Sequence, residues 1–271
     1  MFLCKIIKRK GKKLKDLHVL FNKYDDKLTL EQISEGIYLC IENALNLFGD
    51  AYVLQKAKRF PRALSLLLVA IQEAGKVNIL ENMVTISTGD QKRWKKEWQN
   101  FRKHKIKDSL GYSIKISSDF HDSPGEAFWQ QLLYIKNFAS SREKVRQLGL
   151  YIDYIAGDKK WWSPNEIIED MVKIAENEVV QILYKLYRKK ELGLFSVKAL
   201  RIYREEFENF HPEIEFNKEY EIEDFGNRFF GLKGPYKKYW NRLVKEGVIN
   251  KIPDDLTISG KHWKEFIYGK D

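Results

Sequence analysis

The sequence predicts an all-α helical bundle, and three stretches carry that reading: a capped amphipathic segment from Thr29, an apolar segment behind Pro61, and an aromatic-basic segment from Asp90. Thr29 and Gln32 have capping-box spacing, in which each side chain accepts a hydrogen bond from the other residue's free backbone N–H. Ile33, Ile37, Ile41, Ala44, Phe48 and Ala51 then recur at three- and four-residue spacing, one apolar stripe about six turns long. Pro61 suits the first position of a second helix, where its missing N–H would have had no partner. From Arg62 through Ile71 the chain is apolar nearly all round, which puts this helix at the centre of the bundle.

In the third segment Trp94, Trp98 and Phe101 share a face, while Lys92, Lys95, Lys96 and Lys103 point elsewhere. Gly111 and the Ser-rich run 113–123 break that pattern, and helix is expected again over 125–138 and 142–148. The β-branched and aromatic alternation of 150–155 predicts a short extended piece. Ser163, Pro164 and Glu166 form another helix start, for a helix reaching at least Arg188. An amphipathic stretch runs from Gly193 to Phe210, and the aromatic-rich remainder reads as additional C-terminal helices. The expected division is a basic N-terminal arm over 1–28, a bundle over 29–190 and a helical extension over 191–271.

Composition limits the function classes. In 271 residues, 44% hydrophobic and 32% charged, the balance is that of a globular chain with a sizeable core. No apolar run approaches the roughly 20 residues that span a bilayer. The N-terminus places apolar residues before a basic run, the reverse of a secretory signal, so a cytoplasmic protein without a membrane partner is expected. Cys4 and Cys40 form no CxxC pair. No zinc or calcium spacing, GxxxxGK[ST] or GxGxxG is present, so no metal or cofactor is expected. Net charge is +10, with Lys5, Lys8, Arg9, Lys10, Lys12, Lys13 and Lys15 crowding the N-terminus and a second cluster over 92–107. Such charge favours polyanion partners, RNA or the ribosome among them, and equally serves solubility.

Three blocks carry a family resemblance. Gly36 to Leu54 holds an Asn43–Ala44 pair followed a heptad later by Asp50–Ala51. Lys58 to Lys76 runs from a basic-aromatic start through an Ala- and Leu-rich helix to a Glu73-x-Gly75-Lys76 ending. Trp98 to Lys107 is an aromatic-rich segment ending in His104-x-x-Lys107. A weaker fourth block, Leu150 to Tyr154, precedes Trp161, Trp162, Ser163 and Pro164. In order and spacing these resemble the AbiV family of abortive-infection proteins. The resemblance implies a HEPN-like bundle and a protein that arrests growth or translation in phage-infected bacteria. HEPN domains often dimerise and often cleave RNA, so it also implies a homodimer and leaves open a phage protein as trigger.

HEPN ribonucleases commonly carry an Arg-x4-6-His motif, the histidine moving a proton and the arginine holding the phosphate. His104 has no arginine at that upstream spacing; the nearest are Arg93 and Arg102. Arg204 to His211 is a spacing match of the kind chance supplies, outside the family-like blocks, and is set aside. The polar residues of the blocks take its place as candidates. On a helix His104 and Lys107 share a side, as do Glu73 and Lys76, while Asn43 and Asp50 lie two turns apart on one edge. If the three helices pack together, His104, Lys107 and Glu73 become candidate catalytic groups. Lys76, Asn43, Asp50 and Arg102 are then candidate substrate-binding groups. The competing reading of the same residues is structural: a Glu–Lys pair that fixes helix register and an asparagine that satisfies backbone groups. A non-enzymatic module that senses a phage protein and blocks translation by binding is the alternative function.

Overall fold

The computed structural model describes residues 26–116, 126–207 and 233–253. The basic arm up to residue 25, His211 and most of the C-terminal extension lie outside the described residues. Among the described residues there are eight α-helices: α1 Leu30–Lys56, α2 Phe60–Val84, α3 Gln91–Arg102, α4 His104–Ile116, α5 Glu126–Leu148, α6 Glu169–Glu191, α7 Val197–Phe207 and α8 Lys233–Lys245.

α1 begins with the Thr29–Gln32 capping box, and its whole predicted stripe is buried. α2 starts at Phe60 with Pro61 in its first turn and is buried along its length against α1, α4, α5 and α6. By length and hydropathy α2 would also qualify as a membrane span, contrary to the count of apolar runs. Of that window, 72% is already buried inside the bundle.

Gly111 does not break a helix. It lies within α4, where a methyl group on it would meet the Ile71 carbonyl oxygen at 2.2 Å. Bare glycine there lets α2 and α4 touch along their backbones.

The aromatic-basic segment, read as one helix through His104 and Lys107, is two. Lys103 is extended (ψ 115°), ending α3 and letting α4 start at His104. The turn in direction allows Trp94 to bury against the core while the next helix runs past Gly75. α5 is continuous where a break was expected, because Ser140 and Ser141 fall on its exposed side.

The extended piece exists and has a partner the sequence did not reveal. β1 (Asp153–Ile155) pairs antiparallel with β2 (Lys160–Trp162), Asp153 opposite Trp162. Ser163 and Glu166 form their capping box around a single 3-10 turn, Pro164–Glu166, rather than a long helix. Ile167 then leaves helical geometry to bury its side chain, and α6 follows.

The extension beyond α6 sits on the bundle. The Ser34 hydroxyl donates to the Phe195 carbonyl at 2.7 Å and the Arg204 guanidinium to the Val84 carbonyl at 2.7 Å. α7 and α8 enclose a second core of Leu194, Ile202, Phe207, Tyr239, Trp240 and Leu243.

Candidate functional site

Near the middle of α2, Gln72, Glu73 and Lys76 form a polar line that faces α1, α4 and α5. On the α1 side the Asn43 amide donates to Glu73 Oε2 at 3.0 Å, and Glu73 Oε1 pairs with Lys76 Nζ at 2.6 Å. The Lys76 ammonium also lies 5.2 Å from the centre of the Phe101 ring.

One helical turn separates His104 from Lys107 on α4. Lys107 is 7% exposed, and its side chain makes no hydrogen bond or ion pair among the described residues. Burial lowers its pKa, the nearby Lys76 charge lowers it further, and Glu73 and Glu143 oppose both. His104 opens α4 at the surface. Its pKa is lowered below the ordinary histidine value by partial burial and then by the Lys107 charge.

On the α5 side the contacts form a chain. His104 Nδ1 lies 2.8 Å from Gln72 Oε1, and Gln72 Nε2 donates to Glu143 Oε2 at 3.0 Å. Arg146 grips Glu143 with two hydrogen bonds, Nε to Oε2 at 2.9 Å and an Nη to Oε1 at 2.7 Å. That grip, with the Gln72 amide, holds the Glu143 carboxyl down to about 2. Beside it, Asp108 is fully buried and paired with Arg142 at 2.6 Å, and burial pushes its carboxyl up to about 6.

The structure therefore gathers five of the seven candidates: Asn43, Glu73, Lys76, Lys107 and His104 form one polar seam across α1, α2 and α4. It leaves two apart. Asp50 is exposed two turns along α1, and Arg102 ends α3 on the far side of the Lys103 break from His104. The seam also differs from the buried cluster expected, since Asn43 and His104 are exposed and only Lys107 lies deep.

Sequence reasoning missed Gln72, Glu143 and Arg146. Gln72 carried a signal, as an amide directly after the apolar run 63–71, and it is only 2% exposed. Glu143 and Arg146 share a side of the helix expected over 142–148, but nothing in the sequence brings that side to Gln72.

Cys40 borders the seam, but burial raises its thiol to about 11, so it stays protonated and unsuited to nucleophilic attack. Among the described residues no group of three or more His, Cys, Asp or Glu side chains is arranged to hold a metal ion.

A family model for AbiV, of the HEPN type, matches residues 32–185. No curated protein matches the chain, and no solved structure does.

Proposed function

This chain belongs to the AbiV family of HEPN domains, and from that premise we propose a cytoplasmic abortive-infection effector that cuts RNA at the seam of His104, Lys107 and Lys76. The carrying observation is Lys107, a largely buried lysine whose side chain has no carboxylate partner among the described residues, one turn from an exposed imidazole. A cation left unpaired at this depth is stabilised by an incoming anion, and a phosphodiester is the anion that also gives a neighbouring imidazole work.

In the proposed step His104 takes the proton of a ribose 2′-hydroxyl, and the freed oxygen attacks the adjacent phosphorus. The bond to the 5′-oxygen breaks and that oxygen takes up a proton, leaving a 2′,3′-cyclic phosphate and a 5′-hydroxyl. Lys107 and Lys76 balance the charge on the crowded phosphate, and Glu73, held by Asn43, keeps Lys76 in place. The reaction needs no metal. Arg146 on α5, bound to Glu143, adds positive charge near His104 where the upstream arginine is missing.

Purified protein incubated with total RNA, with and without phage lysate, tests this reading. Cyclic-phosphate ends are expected from the wild type and not from His104→Ala or Lys107→Ala. No cleavage under any of these conditions overturns the nuclease reading; cleavage indifferent to both substitutions overturns the site.

One observation favours a second reading, a module that binds a phage protein. The β1–β2 hairpin and the two residues before it hold apolar and aromatic side chains in solvent, Ile152 at 70%, Trp161 at 70% and Tyr151 at 64% exposed. Under it, Trp161→Ala abolishes growth arrest while RNA remains intact. In either reading the working form is a homodimer, with exposed Leu39 and Val53 of α1 available to a second copy; light scattering gives its mass.

A further inference from the structure

We infer that Gln72 is a positioning residue that fixes the tautomer of His104, and that Glu143 and Arg146 fix Gln72 in turn. The inference deepens the nuclease reading and rests on it only for the use of the imidazole, not for the relay itself.

The donors and acceptors at these contacts allow one assignment. Glu143, gripped by Arg146 and also receiving the Gln147 amide at 3.1 Å, is a carboxylate and can only accept. The Gln72 group 3.0 Å from it must therefore be the NH2 end. Turning the amide round would set two oxygens against each other. The Gln72 oxygen thus faces His104, and an amide oxygen can only accept, so His104 Nδ1 must carry the hydrogen 2.8 Å away. In the neutral ring the lone pair then sits on Nε2. His104 is exposed at the start of α4, so a substrate hydroxyl can approach the ring from solvent.

A free imidazole in water prefers the opposite tautomer, with the hydrogen on Nε2. Without the relay, most neutral His104 rings would present a donor where the reaction needs an acceptor. Four residues on three helices are thus committed to one proton position: Arg146 and Glu143 on α5, Gln72 on α2 and His104 on α4.

Nitrogen-15 NMR of the full chain, read above the His104 titration, reports the tautomer directly and needs no substrate. The wild type is expected to show a bare Nε2 and a protonated Nδ1. Gln72→Leu, of similar volume, is expected to move the ring to the Nε2–H form. It should lower RNA cleavage several-fold, against the roughly 10²–10⁴-fold expected on removing a general base with His104→Ala. Glu143→Gln is the second variant should Gln72→Leu fail to fold. Its neutral amide no longer dictates which end of Gln72 it meets, and the two tautomers are expected to mix. A protonated Nε2 in the wild type, or a tautomer unchanged in every folded variant, overturns the relay. A bare Nε2 in a protein that never cuts RNA leaves the relay standing and removes the nuclease reading instead.

Discussion

A methyl group on Gly75 would lie 1.8 Å from the carbonyl oxygen of Lys107, so α2 and α4 meet with no side chain between them. Gly75→Ala therefore has to push α4 away. We predict a loss of about 1–3 kcal/mol, the range for overpacking a tight contact. It should be accompanied by displacement of both His104 and Lys107. Gly49, in α1 with open space around it, is the control: Gly49→Ala should stabilise by about 0.4–1 kcal/mol. Urea midpoints of the two variants check the pair, and a stabilising Gly75→Ala would refute the close crossing.

Lys107 is the charge that most depresses His104. Lys107→Met should raise the His104 pKa toward the ordinary histidine value, because it removes a cation while keeping the stem that fills the site. Proton NMR titration of the ring measures it, and a midpoint that falls instead would show that the two side chains do not sense each other.

Two neighbouring carboxyls give stability slopes of opposite sign. Glu143 is held at about 2 against an ordinary 4.5, so its ionised form favours folding. That contribution is complete above 4.5 and is lost as pH falls toward 2. Asp108 is pushed up to about 6 from an ordinary 3.8, so its protonated form favours folding. That contribution is complete below 3.8 and is lost as pH rises toward 6. Relative to wild type, Glu143→Gln should flatten the first slope and Asp108→Asn the second, as read from denaturation midpoints between those limits.

In the second core Leu243 is fully buried, and Leu243→Ala should cost about 2–5 kcal/mol. Arg242 beside it is about one-third exposed and bridges Glu205, Glu206 and Glu246. Solvent screening should limit Arg242→Ala to about 1 kcal/mol. Equal losses from the two variants would mean that charge, not packing, fastens α8.

What the sequence disclosed was local. The cap at Thr29, the stripe from Ile33 to Ala51 and Pro61 each concern residues a few positions apart, and all three appear in the structure. Gly111 was misread because a glycine's freedom shows in sequence, whereas a second helix pressed against it does not. In the seam, the pairs Glu73–Lys76 and His104–Lys107 were legible, since spacing on a helix sets which residues share a side; Asn43 was legible too, but its pairing with Asp50 was not kept. The Gln72–Glu143 contact spans 71 positions and depends on an α5 that the sequence divides at Ser140 and Ser141. No periodicity reports such a contact.

The β1–β2 hairpin has a mechanical consequence of its own. Two three-residue strands bury little, and this pair is fastened by the Trp162 indole donating to the Leu148 carbonyl at 3.2 Å and by the Tyr154–Trp161 ring contact. Such a unit opens on its own, without disturbing α2 or α6, so its amides should exchange early and a protease should cut first at the turn 156–159. The cut chain would remain one folded body in two covalent pieces, since α6 stays packed on α1, α2 and α4. That turn is accordingly the natural place to insert a fluorescent or affinity probe while leaving the polar seam intact.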